Sequence, residues 1–157
     1  MARDKLKVDT PWLLIGSPPC GPFSTMHQLF PWTEGRGRNY WEGIQHLMFL
    51  EELYSAQAAA GRYFLHEQPR NNSSWETHPV KQMQQIPGAL TIECDQCCFG
   101  LKGSDELGEA LIQKPTRWIT NLASLDAAIG HRCQNMKSPE CDATASSLVT
   151  RTRKCGG

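Results

Sequence analysis

The chain has 157 residues, 39% hydrophobic and 20% charged, with sixteen Lys and Arg against sixteen Asp and Glu. That length suits one domain able to bury a core, and the zero net charge excludes the strongly basic footprint of a protein held on nucleic acid chiefly by its overall charge, leaving room for a local basic patch. No apolar run approaches the ~20 residues of a membrane span, Met1-Ala2-Arg3-Asp4-Lys5 leads into no signal segment, and seven cysteines cannot all pair internally, so the expectation is an intracellular protein, cytoplasmic or nuclear and not secreted, with reduced thiols.

Trp12-Leu13-Leu14-Ile15 is a continuous apolar run halted by Gly16-Ser17-Pro18-Pro19, which reads as a buried strand entering a stiff loop. Residues 25–40 are mixed, and Gly35-Arg36-Gly37-Arg38-Asn39 reads as a mobile loop. From Trp41 to Ala60 the spacing predicts a helix: Ile44, Leu47, Met48, Leu50, Leu53 and Tyr54 recur at helical intervals, and Gly61 is placed to cap its end. Arg62 to Glu67 reads as a second strand, stopped at Pro69, and Asn71 to Ser74 as a loop. Pro79 suits the first turn of a short helix through about Ile86, ended by Pro87-Gly88. Ala89-Leu90-Thr91-Ile92 is a third strand, residues 100–109 a Gly- and acid-rich loop, and Thr116-Arg117-Trp118-Ile119-Thr120 a fourth strand. This alternation predicts an α/β fold with a mainly parallel sheet, whose ligands sit at the carboxyl ends of strands. Residues 1–125 are expected to form that domain and residues 126–157 an irregular polar tail.

The first chemistry-bearing string is Gly16-Ser17-Pro18-Pro19-Cys20-Gly21-Pro22-Phe23-Ser24. Three prolines fix backbone angles and two glycines permit close approach. A thiol on such a loop is placed rather than mobile, as a nucleophile requires. If a helix begins just after it, its terminus favours thiolate. A lone cysteine in a turn is more often inert. The whole string, however, resembles the nucleophile motif of the cytosine-5 DNA methyltransferases, Gly-x-Pro-Pro-Cys-x-x-Phe-Ser, and matches each fixed position.

One helix and one strand later, Phe64-Leu65-His66-Glu67-Gln68-Pro69 places a carboxylate at a strand end. The family has Glu-Asn-Val there and its phage-type relatives Glu-Asn-Pro; Gln68 for Asn is a departure that keeps the amide on a longer side chain. The resemblance implies that Cys20 attacks carbon 6 of a cytosine flipped out of duplex DNA, while Glu67 supplies a proton or hydrogen bond near ring nitrogen 3. Carbon 5 then takes a methyl group from S-adenosylmethionine. Strand alternation sends His66 and Glu67 to opposite faces.

Asp95-Gln96-Cys97-Cys98-Phe99-Gly100 and, after a loop, Gln113-Lys114-Pro115-Thr116-Arg117 are similar to the family's Asp-Tyr-Gly and Gln-x-Arg-x-Arg. Gln113 and Arg117 are kept, and Pro115 stands for the first Arg. The Lys-Pro-Thr-Arg form is similar to phage-type relatives and mobile-element sequences. The resemblance thus implies Cys20, Glu67 and Arg117 as catalytic residues, Arg117 holding a phosphate or the cytosine carbonyl. It implies Pro18, Pro19, Phe23, Ser24, Gln68, Pro69 and Gln113 as residues that shape or contact the substrate site.

The family's opening motif, a strand followed by Asp/Glu-x-Phe-x-Gly-x-Gly that holds the methyl donor, has no counterpart, since only eleven residues precede Trp12. S-adenosylmethionine is therefore expected from the resemblance alone, with a second chain or segment supplying its seat. Two alternatives stand beside the enzyme: a degenerate, non-catalytic module that binds nucleic acid or a partner chain, and a zinc-stabilised structural domain. The latter would draw on Cys94, Cys97, Cys98, His131, Cys133 and Cys141, whose spacing makes no tidy knuckle; no metal ligands are expected. Arg36, Arg38, Arg151, Arg153 and Lys154 could touch phosphate, and Trp32, Trp41, Trp75 and Trp118 could stack on bases, although solvated charge and packing are the commoner roles.

Overall fold

A computed structural model describes residues 2–29, 31–105 and 108–133. Most of the expected tail, residues 134–157 with Cys141, Cys155 and the basic residues 151, 153 and 154, lies outside the described residues. Residues Ser124–Ile129, which straddle the expected domain boundary, form a short helix.

The chain opens with α1 (Ala2–Asp9), unforeseen in the sequence, and enters β1 (Leu13–Gly16). The long helix α2 (Glu34–Ala59) leads to β2 (Tyr63–Pro69), then α3 (His78–Gln85) to β3 (Leu90–Asp95). The stretch expected to be a loop at residues 100–109 contributes instead to a hairpin, β4 (Lys102–Asp105) with β5 (Gly108–Leu111). It returns the chain to β6 (Pro115–Thr120) and α4 (Ser124–Ile129).

α2 begins well before Trp41. Thr33 caps it, its Oγ1 accepting from the Arg36 amide at 3.3 Å, and the Arg36 guanidinium lies 4.9 Å from the centre of the Trp32 ring. The segment Gly35–Asn39, expected to be a mobile loop, is thus the first turn of a helix; a good cap and a stacked side chain outweigh the poor propensity of two glycines.

The four-stranded sheet has the order β1-β2-β6-β3. β1 and β2 are parallel, with Leu13 opposite Tyr63 and Gly16 opposite His66. β6 is antiparallel to both β2 and β3. The expectation of a mainly parallel sheet is therefore overturned: one of its three pairings is parallel. The reason lies in the connections. A parallel return needs a crossover long enough to span the sheet, which α2 provides between β1 and β2. Between β3 and β6 the chain turns back through a hairpin, and β6 slots in reverse between β2 and β3.

α2 and α3 cover one face of this sheet. Phe64 and Ile119 pack there against Leu47, Tyr54, Trp75, Val80 and Met83, all nearly or fully buried. Tyr54 stacks on Phe64 with ring centroids 4.8 Å apart. The close approach of α2 to the end of β1 requires a glycine: a Cβ on Gly16 would stand 1.9 Å from the Tyr54 hydroxyl.

Candidate active site

Beyond Gly16 the chain leaves β1 and becomes the proline loop. Pro18 is buried, Pro19 and Cys20 are exposed, and Phe23 anchors the far end in the core at 2% exposure. The Phe23 ring packs edge-on to Tyr40 at 5.4 Å and against Gly43 of α2, where a Cβ would come within 2.9 Å of it. Cys20 caps a three-residue 3-10 helix, Gly21–Phe23, and its carbonyl accepts from the Phe23 amide at 3.1 Å. That turn is too short to carry an appreciable helix dipole.

The loop is tied to the end of β2 and the turn beyond it. Ser17 Oγ donates to Glu67 Oε2 at 2.5 Å. Gln68 Nε2 donates to the Pro18 carbonyl at 2.7 Å, Asn72 Nδ2 to the Cys20 carbonyl at 3.0 Å, and Ser73 Oγ to the Phe23 carbonyl at 2.8 Å. The segment bearing Cys20 and the segment bearing Glu67 are therefore one hydrogen-bonded unit. Gln68, which departs from the family pattern, uses its longer amide to reach the loop backbone. The Pro69 carbonyl accepts from Trp75 Nε1 at 2.8 Å, fixing the chain where it turns away. Ser24 Oγ accepts from the Met26 amide at 3.3 Å, a local turn bond.

Glu67 is half-buried, and its Oε1 is enclosed with no hydrogen-bond partner among the described residues. Across the β2/β6 pair Glu67 stands opposite Trp118, and Gln68 opposite Arg117. Alternation therefore puts Glu67 and Trp118 on one face and Arg117 on the other. Side-chain contacts agree. Trp118 Nε1 lies 3.2 Å from Cys94 Sγ, on the Glu67 side. Arg117 lies on the helix-covered side, 5.1 Å from the centre of the Trp75 ring, and donates to Glu93 Oε1 from Nε at 3.0 Å and from Nη2 at 2.8 Å. The structure thus brings the segments that bear Cys20, Pro18, Glu67 and Gln68 together; Arg117 shares a face with Gln68, its partner in register, and lies across the sheet from Glu67. Gln113 is buried just ahead of β6, its carbonyl accepting from the Gln96 amide at 2.7 Å.

His66 points away from Glu67, as alternation requires. It is buried with its Nδ1 3.3 Å from the Tyr54 hydroxyl, and burial pushes its imidazole down to about 4. Burial likewise raises the Tyr54 phenol and the Cys94 thiol. At Glu93 burial works against ionisation, but bonding to Arg117 and the charges of Arg117, Arg132 and Arg70 outweigh it, and the carboxyl sits below its ordinary value.

A groove of about 770 Å³ runs between the proline loop and one stripe of α2, walled by Pro18, Pro19, Pro22 and Pro31 and by Arg36, Asn39 and His46. The neighbours of Cys20 on both sides line it; Cys20 and Glu67 are not among its described lining residues. Trp32 and Trp41 are exposed on the same helical region, whereas Trp75 is buried.

The described residues do not fit a methyl donor's seat of the kind the resemblance implies. The segment before β1 is helix α1, not a strand feeding a Gly-rich turn. Among the described residues no group of three or more His, Cys, Asp or Glu is arranged to hold a metal ion. Cys97 and Cys133 instead pack together with Leu111 in a small apolar cluster. No helix among the described residues is long and apolar enough to cross a membrane.

Several site residues escaped the sequence reading: Ser17, Asn72, Ser73 and Gly43. Asn72 left a signal, a side chain able to cap just ahead of Ser73-Ser74-Trp75-Glu76, where its Oδ1 accepts from the Ser74 amide at 2.9 Å. Comparison with protein-family models, curated proteins and solved structures finds no match to this chain.

Proposed function

We propose that this chain performs the base-activating steps of cytosine-5 methyl transfer on DNA, with Cys20 as nucleophile and Glu67 as acid. The observation that supports this reading is the bonding of the Cys20 loop to the Glu67 strand end, through Ser17 to Glu67, Gln68 to Pro18 and Asn72 to Cys20. A nucleophile and an acid that act on two edges of one small ring have to be held in fixed relation, and bonds that tie the two segments together are what that requires.

The Cys20 thiolate forms a sulfur–carbon bond at carbon 6 of an extruded cytosine, and the electrons of the 5,6 double bond move into the ring. Glu67 donates a proton or hydrogen bond at ring nitrogen 3, offsetting the charge that develops there. Carbon 5 is now a nucleophile. Without a methyl donor it takes a proton from water; loss of the original carbon 5 hydrogen as a proton to water, expulsion of the thiolate and return of the nitrogen 3 proton to Glu67 restore the ring. S-adenosylmethionine, for which the described residues form no seat, would supply the methyl group at carbon 5 if a second chain or segment held it.

The test is hydrogen exchange at carbon 5 of cytosine in duplex DNA, followed in deuterated water without donor. The wild-type protein is expected to exchange that hydrogen, Cys20→Ser to abolish exchange, and Glu67→Gln to slow it by roughly 10²–10⁴-fold. Wild-type protein that binds the DNA yet leaves carbon 5 untouched would overturn the reading. That result would favour a second one, to which the groove lends support: a non-catalytic module that binds nucleic acid or a partner chain beside the proline loop, using Arg36 and the exposed Trp32 and Trp41.

A further inference from the structure

Ser17 occupies the unspecified position of the nucleophile motif, so no pattern in the sequence marks it. We infer that Ser17 is a positioning residue, which references the Glu67 carboxyl to the Cys20 thiol. The inference rests on the base-activation reading above and names one more group in the same site.

Three observations carry it. Ser17 lies three residues before Cys20 on the same proline-stiffened loop, so its hydroxyl moves with the thiol. That hydroxyl is the hydrogen-bond donor to Glu67 Oε2, at 2.5 Å, while Oε1 has no hydrogen-bond partner among the described residues. The neighbouring bond, Gln68 Nε2 to the Pro18 carbonyl at 2.7 Å, fixes backbone to backbone-bearing strand but leaves the carboxyl plane free to rotate. Among the described residues, the bond that restrains that rotation from the loop side is the one from Ser17. By donating to Oε2, Ser17 also sets the plane of the Glu67 carboxyl relative to the loop that bears Cys20. Ser17 is exposed and precedes Pro18, an extended position that a β-branched residue tolerates. The hydroxyl can therefore be removed or kept by substitution without disturbing a packed core.

The test is the donor-free carbon 5 exchange assay on full-length chain with Ser17→Ala and Ser17→Thr, read as separate rate and half-saturating DNA concentration. Ser17→Ala is expected to lower the maximal exchange rate roughly ten-fold, the size of one lost hydrogen bond, with little change in half-saturation. Ser17→Thr, which keeps the hydroxyl, is expected to restore most of the rate. Thermal unfolding of both variants within a few degrees of wild type accompanies the expected result. Wild-type exchange matched by Ser17→Ala overturns the role of Ser17 and leaves the activation reading standing. A loss in Ser17→Ala that Ser17→Thr fails to restore also overturns it, because the effect would then not follow the hydroxyl. Absence of exchange in the wild type overturns both.

Discussion

Asn72 does two jobs with one amide. Its Oδ1 caps the turn at Ser73–Glu76, and its Nδ2 donates to the Cys20 carbonyl. The two can be separated by Asn72→Asp, which keeps the capping oxygen and loses the donor. The expected outcome is stability within about 1 kcal/mol of wild type, because the cap persists, with carbon 5 exchange slowed roughly ten-fold as the nucleophile loop loosens. Urea unfolding and the exchange assay check the two halves; unchanged exchange would mean the prolines and the bonds from Ser17, Gln68 and Ser73 hold the loop without Asn72. At this scale the sequence was generous with the proposed reacting groups and silent on their braces. Cys20 and Glu67 stand in strings with strong local chemistry. Ser17, Ser73 and Asn72 are ordinary polar residues whose partners lie some fifty positions away, and such pairings leave no local pattern.

β2 shows how far a single strand can be read. Its alternation places His66 on the helix side and Glu67 on the other, a reading the contacts of both residues match. Register across to β6 is a different matter, because it is set by non-local pairing. Motif spacing grouped Arg117 with Glu67, yet Trp118 is the residue opposite Glu67, and one position of register moves Arg117 to the far face. The buried His66 carries a prediction of its own. Burial holds its imidazole at about 4, below the ordinary 6.5, so the folded state disfavours protonation that the unfolded chain accepts. The resulting stability is complete above about pH 6.5 and is lost as pH falls toward 4, by roughly 3 kcal/mol at one pK unit per 1.36 kcal/mol. Urea unfolding at pH 7 and at pH 4.5 is expected to show this loss in the wild type and a clearly smaller one in His66→Gln. Equal losses would assign the acid sensitivity to other groups.

For the molecule as a whole, the strand-and-helix alternation from Leu13 to Asp95 was legible because each element has a strong period and a Gly or Pro stop. The direction of β6 was not. Residues 100–109 are rich in Gly and acidic groups and read as a loop, and nothing local says that the hairpin there feeds a strand back in reverse between β2 and β3. This topology still delivers the Cys20 loop and the end of β2 side by side, because the one parallel pairing, β1 with β2, is the one that bears both. The central proposed event is a bond between Cys20 Sγ and carbon 6 of a cytosine. Peptide mass spectrometry on protein quenched while bound to DNA containing 5-azacytosine, whose ring nitrogen at position 5 takes a proton where carbon 5 would need a methyl group, tests that bond directly. A cytosine-derived mass on the peptide that contains Cys20, absent in Cys20→Ser, is the predicted result; an adduct on the exposed Cys98 instead, or no adduct under saturating DNA, would contradict it.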